Sequence, residues 1–206
     1  MTTKVSVTEM GRIVTIRIDN PPLNILTNET RQALFCALDE VERGVGAHIL
    51  VMEAAGERAF SVGSDISEFP ADEISGVGKI RFEQHLLNRL AKLPHVTIAK
   101  IGAMTLGGGG ELILACDFRI AAAGAKIGFP EIKLGALPAA GGIKRLVQEI
   151  GPVRARQLIL LGRPIEAEEA LSFGLINEVV PAAELNGRVA ALAKELSELP
   201  ADALAL

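Results

Sequence analysis

Two glycine-rich segments in this chain are built to offer backbone N–H groups rather than side chains. The first is Ala59-Phe60-Ser61-Val62-Gly63-Ser64-Asp65, which follows an apolar run at residues 48–53. The second is Leu106-Gly107-Gly108-Gly109-Gly110-Glu111, which follows the apolar run Val96–Ile101. Glycine lets the backbone come close to a ligand and adopt positive φ. A helix beginning at such a place leaves its first amide donors unpaired and favours negative charge. Two such donors aimed at one point can hold an oxyanion as it forms. Taken singly, either segment is also what a tight corner without a ligand requires.

Other chemistries fail on spacing. A dinucleotide fingerprint beginning at Gly107 needs glycine where Leu112 stands. A Walker A motif ending at Gly78-Lys79 needs glycine where Glu73 stands and Ser or Thr where Ile80 stands. A nucleophile elbow at Ser64 needs glycine in place of Val62. His48, His85 and His95 lack zinc-ligand spacing and a Cys partner, and no metal site is expected. Cys36 and Cys116 lie in apolar, helix-like stretches and are expected to be buried, reduced thiols.

The elements that must position the two segments show in the periodicity. Residues 5–8 and Ile13–Ile18 alternate around Met10-Gly11 as a β-hairpin. Thr27 can cap a helix running to about Arg43, with Leu34, Leu38 and Val41 on one face and Gly44 and Gly46 beyond it. Residues 48–53 form a buried strand, and a loop is expected over 54–65. A helix is expected near 79–93, ended by Pro94. Val96–Ile101 is a further strand, followed by a helix from Glu111 and a strand at 117–122. Residues 141–174 are predicted helical, punctuated by Gly151-Pro152 and Arg163-Pro164. A short strand follows at Val179-Val180. From Glu184 an amphipathic helix carries Leu185, Val189, Leu192, Leu196 and Leu199. Strands alternating with helices make the chain α/β, read as one domain over residues 1–206.

Composition narrows the classes. Apolar residues make up 49%, which excludes disorder, and seven Phe with no Trp or Tyr predict a mostly aliphatic core. Twenty-one basic and 25 acidic side chains, net −4, are well mixed, which argues against a nucleic-acid surface. No apolar run approaches membrane-spanning length and no signal-peptide pattern opens the chain, so a cytoplasmic protein without membrane contact is expected.

In combination the motifs resemble those of the enoyl-CoA hydratase/isomerase (crotonase) family. Residues 59–66 resemble the family segment A-F-small-small-G-A-D-I. LGGGGELILACD, from Leu106 to Asp117, resembles its LGGG-x-E-L stretch ending in CD. Phe129-Pro130-Glu131, Leu134-Gly135 and PAAGGIKRL at 138–146 resemble its F-x-x-PE…G…P-x-x-GG…RL stretch. Order and spacing follow the family from the hairpin to about Val180. The resemblance implies a crotonase-like α/β fold of repeated ββα units in a spiral core, with a shortened C-terminal helical region.

The resemblance also implies an acyl-CoA thioester as ligand, held as its enolate by the N–H groups of Ser64 and Gly108. Coenzyme A is then part of the substrate, and no separate cofactor is implied. Glu111 and Glu131 match the hydratase pattern: Glu111 would take a proton from water and Glu131 would supply one to Cα. Contacts to coenzyme A fall to Arg58, Val62 and Ser64. Ser67 and Pro21-Pro22 stand where many members carry phosphate-facing lysines. Ala139 stands where dienoyl isomerases and hydroxyisobutyryl-CoA hydrolases carry Asp, which argues against both. The implied activity is syn-hydration of a trans-2-enoyl-CoA. The alternatives are an isomerase of the same family or a non-catalytic member that binds acyl-CoA. A homotrimer or dimer of trimers is implied, and the aliphatic stripe from Leu185 to Leu199 is expected to add apolar surface that a partner covers.

Overall fold

The computed structural model describes residues 4–44 and 46–204. It opens with an antiparallel hairpin, β1 (Val5–Met10) and β2 (Ile13–Ile18), in register from Val5↔Ile18 to Met10↔Ile13. Helix α1 (Asn28–Arg43) starts at Thr27, whose hydroxyl accepts the Thr30 N–H at 3.1 Å, and stops at Gly44. Its apolar face buries Leu34, Ala37, Leu38 and Val41.

One pattern then recurs. β3 (Ile49–Ala54), β4 (Ala59–Ser61) and α2 (Glu73–Leu90) form the first unit. β5 (Val96–Ile101), β6 (Met104–Leu106) and α3 (Gly108–Ile113) form the second. β7 (Phe118–Ala122) and β8 (Lys126–Gly128) lead, through a 3-10 turn at Pro130–Leu134, into α4 (Gly142–Leu161). β9 (Ile165–Glu166), α5 (Ala167–Phe173), β10 (Glu178–Val180) and α6 (Leu185–Ser197) complete the order, with a last turn, α7 (Ala201–Leu204). The first strand of each unit enters a six-stranded sheet ordered β1-β2-β3-β5-β7-β10, parallel from β2 onward. The second strand enters a smaller sheet ordered β4-β6-β8-β9. Each unit therefore adds one strand to each sheet, and the chain winds as the ββα spiral that the motifs imply.

Both faces of the large sheet are covered. Leu50 and Met52 of β3 pack into the main core with α1 and α2, while Ile49 and Val51 face the opposite side under α6. This two-sided burial is why β3 and β5 read as unbroken apolar runs. The stripe on α6 is used in the same way. Leu185, Val189 and Ala193 are buried on the sheet, Leu192 and Leu196 are partly buried against the same cluster, and of the stripe only Leu199 is exposed. The expectation that this stripe needs a partner is thus corrected, because the back of the sheet takes it up.

Other boundaries differ for identifiable reasons. The stretch expected to be a loop over 54–65 contains β4. It and its neighbours β6, β8 and β9 are only two or three residues long, too short to show alternation. Helix α2 begins at Glu73 rather than near Lys79: the Asp72 carboxylate accepts the Ser75 N–H at 2.9 Å, but Ile74 and Val77 in the first turns are exposed. Helix α3 begins at Gly108 rather than Glu111. Between α4 and α5 the chain leaves the helix at Gly162 and forms β9, so 141–174 is not one helical stretch. Cys116 is buried as expected, but Cys36 is exposed, on the side of α1 away from Leu34 and Leu38. Among the described residues, no helix is long and apolar enough to cross a membrane.

Asn24 locks the first site segment to the sheet. It is fully buried at φ 50°, and its amide donates to the Ala55 and Ala59 carbonyls at 2.8 Å each. Its side-chain oxygen accepts the Asn20 N–H at 3.0 Å. Asn24→Ala leaves two buried carbonyls and a half-buried N–H without this partner and puts alanine in the left-handed region. We expect a loss of about 3 kcal/mol or more, read as a lower urea midpoint with an unchanged slope.

Candidate active site

The two glycine-rich segments meet backbone to backbone. Leu26 bridges in parallel to Ser64: its N–H donates to the Gly63 carbonyl at 2.8 Å, and the Val62 N–H donates to the Leu23 carbonyl at 3.1 Å. That pattern uses the carbonyl before Ser64 and leaves the Ser64 N–H outside the ladder. Gly63 has φ 92°, and a Cβ there would lie 2.8 Å from the Gly108 nitrogen and 2.9 Å from the Leu106 oxygen. No side chain fits between the segments. Gly107 caps α3 without a side-chain bond, and Gly108, as the first helical residue, has an N–H with no intrahelical partner. Ser64 and Gly108 thus each carry an N–H outside the regular hydrogen bonding, and both residues border the same space.

That space is a cavity of about 500 Å³, lined by Val62, Ser64, Gly108, Glu111 and Glu131 among others. Apolar side chains, including Phe69, Ile80 and Leu137, form much of the remaining wall. The four residues singled out as an amide pair and a carboxylate pair are all brought together here. Val62 also lines the cavity. Arg58 does not: it is exposed in the turn before β4.

The two carboxylates sit in different surroundings. Glu111 is 4% exposed, and its Oε1 accepts the Gly142 N–H at 2.9 Å, at the start of α4. A Cβ at 142 would stand 2.7 Å from that oxygen, so only glycine allows this bond. Burial pushes the Glu111 pKa up to about 8; the Gly142 N–H opposes the shift, and the Glu131 and Glu83 carboxylates add to it. Glu131, on the 3-10 turn, is pushed upward by burial as well. Both of its carboxylate oxygens are shielded from solvent and have no hydrogen-bond partner among the described residues. Burial without a hydrogen-bond partner favours the protonated form of such a carboxyl. Among the described residues, no group of three or more His, Cys, Asp or Glu side chains is gathered as a metal site.

Arg31 and Glu83 were not singled out from the sequence, yet both reach the site. A second, small cavity of about 20 Å³ lies behind Gly108 and Glu111, lined by Arg31, Glu83, Leu34 and Leu86. The signal was present in α1: Arg31 stands one turn before Leu34 on the buried face, where an arginine is out of place.

Stacked ββα units that bring two helix-opening loops to one cavity define the crotonase fold. The sequence profile of the enoyl-CoA hydratase/isomerase family matches residues 8–206, and the chain belongs to that family. It is 36% identical over 196 residues to a probable enoyl-CoA hydratase of Bacillus subtilis, covering 94% of this chain and 76% of that one. It is 34% identical over 190 residues to a short-chain-enoyl-CoA hydratase of Clostridium acetobutylicum, covering 90% and 72%. The crystal structure of an enoyl-CoA hydratase from Bacillus anthracis superposes with a TM-score of 0.92 at 33% identity, covering 98% of this chain and 79% of that one.

The raised Glu111 pKa has a consequence for stability. Between the ordinary value of 4.5 and about 8, the folded chain keeps a proton that the unfolded chain has released. The folded state binds more protons there, so stability falls as pH rises through that window. Glu111→Gln removes the titration. Urea unfolding from pH 5 to 8.5 should show stability declining more steeply with pH in the wild type than in the variant.

Proposed function

We propose that the protein is an enoyl-CoA hydratase, adding water syn across the double bond of a trans-2-enoyl-CoA thioester. The observation that carries this reading is that Glu111 and Glu131 line the same cavity as Ser64 and Gly108. The N–H groups of Ser64 and Gly108 take the thioester oxygen and draw electron density from the conjugated double bond, leaving Cβ electrophilic. Glu111, as carboxylate, accepts a proton from water as the water oxygen bonds to Cβ. The enolate oxygen carries the charge, and the amide donors stabilise it where it develops. Glu131, as the acid, delivers its proton to Cα. The pair ends with its one proton moved from Glu131 to Glu111, and its return closes the cycle.

This division needs one proton on the pair. Burial of Glu111 favours that proton on Glu111 in the free protein, and the backbones of Gly142 and Ala140 favour its carboxylate form. The two groups titrate as a coupled pair, with the reactive arrangement one of its singly protonated forms. An isomerase moves a proton between carbons and needs one carboxylate; a non-catalytic binder needs neither. The presence of both in one cavity favours hydration over these readings. Arg58, exposed on the loop before β4 and outside the cavity lining, is proposed to meet a part of coenzyme A that extends beyond the cavity, with Val62 and Ser64 nearer the thioester.

Self-association, with a trimer as the base unit, belongs to the same proposal. Its support is α4, which presents Val147, Val153, Leu160 and Leu161 to solvent at 40%, 75%, 62% and 50% exposure. Sedimentation at micromolar concentration should give the mass of several chains. A monomer that still hydrates crotonyl-CoA would overturn that part alone.

Loss of the conjugated thioester absorbance of crotonyl-CoA tests the chemistry. Glu111→Gln and Glu131→Gln should each lower kcat by about 10²–10⁴-fold while thioester binding persists. The wild-type pH profile should be bell-shaped, with its alkaline limb at about 8, where the pair loses its last proton. Full activity in either variant would rule out the two-carboxylate mechanism.

A further inference from the structure

Next to the Ser64 amide lies a buried cation that the hydration steps leave without a role. Arg31 is 4% exposed. Its guanidinium donates to the Leu26 carbonyl and, at 2.6 Å, to the Ser64 hydroxyl oxygen. Its Nε stands 3.1 Å from Glu83 Oε1. The polar chain continues outward. Glu83 pairs with Lys79 at 3.3 Å, Lys79 donates to Asn28 Oδ1 at 3.1 Å, and the Asn28 N–H donates to Glu68 Oε2 at 2.6 Å. The contacts run from Ser64 through α1 and α2 and return to the same loop at Glu68.

Burying that charge is costly. Desolvation pulls the Arg31 pKa below its ordinary value, and the Glu83, Glu68 and Glu111 carboxylates act against it. An apolar side chain in its place would pack against Leu34, Leu86 and Leu87 and remove that cost, but would leave Glu83 paired with Lys79 alone among the described residues. Beyond the ion pair with Glu83, the contacts of the charge show what it serves. A guanidinium can only donate, so the Leu26 carbonyl and the Ser64 hydroxyl both act as acceptors to it. Those two groups flank the Ser64 amide, one on the bridging strand and one on the residue itself. An oxyanion donor works because it is fixed before charge develops, and small displacements weaken it steeply.

We propose that Arg31 is a positioning residue that fixes the Ser64 amide on the thioester oxygen, acting through the Ser64 hydroxyl and the Leu26 carbonyl. This rests on the reading of the Ser64 N–H as an oxyanion donor. It differs from a packing role in what it predicts: the enolate should suffer and ground-state binding should not.

Arg31→Met, Arg31→Lys, Ser64→Ala and the Met/Ala double variant test it with two readouts. One is the kinetics of crotonyl-CoA hydration. The other is the ultraviolet absorbance of the acetoacetyl-CoA enolate at saturating ligand, which needs the amide donors but no turnover. Arg31→Met should lower kcat about ten- to a hundredfold, below the loss of a direct donor, with KM within about threefold. The enolate absorbance should fall with it, and Arg31→Lys should recover part of both. Ser64→Ala should cost less, and the double variant should match Arg31→Met rather than sum the two losses. Wild-type kcat and enolate absorbance in Arg31→Met overturn the proposal, and so do additive losses. A wild-type protein that enolises acetoacetyl-CoA without hydrating crotonyl-CoA, with the absorbance lost in Arg31→Met, upholds the proposal and removes the hydratase reading instead. A wild type that does neither removes the oxyanion reading and the proposal with it. If circular dichroism shows that Arg31→Met does not fold, Ser64→Ala decides: wild-type values in both readouts overturn the proposal, and a parallel fall supports it.

Discussion

The rest of the site depends on one close approach: Gly63 against Gly108. With a Cβ at 63 less than 3 Å from the Gly108 nitrogen and the Leu106 oxygen, the two segments would have to part. Everything on the cavity wall follows from their contact. It sets the spacing between the Ser64 backbone and the start of α3. It also places Glu111, one turn into that helix, where its carboxyl can reach the N–H of Gly142. Parting the segments would move an amide and a carboxylate together, so their geometries are coupled through backbone rather than through side chains that could readjust.

The ββα repeat explains how two loops distant in sequence come to touch. Each unit sends its first strand to the large sheet and its second to the small one, and successive units stack in parallel. Equivalent turns of neighbouring units therefore lie side by side. The segment after β4 and the segment after β6 are such equivalents. The third unit supplies Glu131 from the turn after β8. One residue from each of three stacked units, Ser64, Gly108 and Glu131, then faces one cavity. Burial of both sheet faces holds the stack, with α6 closing the side away from the cavity.

Much of this was legible in the sequence, and the reasons differ by residue. Long elements announced themselves: α1 through its Thr27 cap and apolar stripe, β3 and β5 through unbroken apolar runs. Ser64, Gly108, Glu111 and Glu131 could be picked out because backbone donors leave a glycine signature and the motifs around them occur in a fixed order. The small sheet was hidden, since two or three residues carry no period. The fate of the α6 stripe was hidden too, because a sequence shows an apolar face but not which surface covers it. Arg31 was legible in principle. A cation on the buried face of α1 conflicts with the helix's own pattern, and such local conflicts mark places where something other than packing is served.

The electrostatics of the cavity follow the same logic of place over identity. Glu111 and Glu131 are the same residue type with the same ordinary pKa, and both are raised by burial. They differ in what touches them. The Gly142 N–H is aimed at the Glu111 carboxylate, and the Ala140 backbone also favours its ionised form, whereas neither carboxyl oxygen of Glu131 has a hydrogen-bond partner among the described residues. These backbone contacts stabilise an anion on Glu111 that burial otherwise disfavours, so protonated and ionised forms lie close in energy. A group so balanced can accept a proton and give it back without a deep well on either side. Glu131, its carboxyl oxygens without a hydrogen-bond partner among the described residues, holds its proton more readily than an exposed glutamate. Two glutamates on one cavity wall are thus told apart by backbone amides, and the amide of residue 142 comes within reach because that residue has no side chain to crowd the carboxylate.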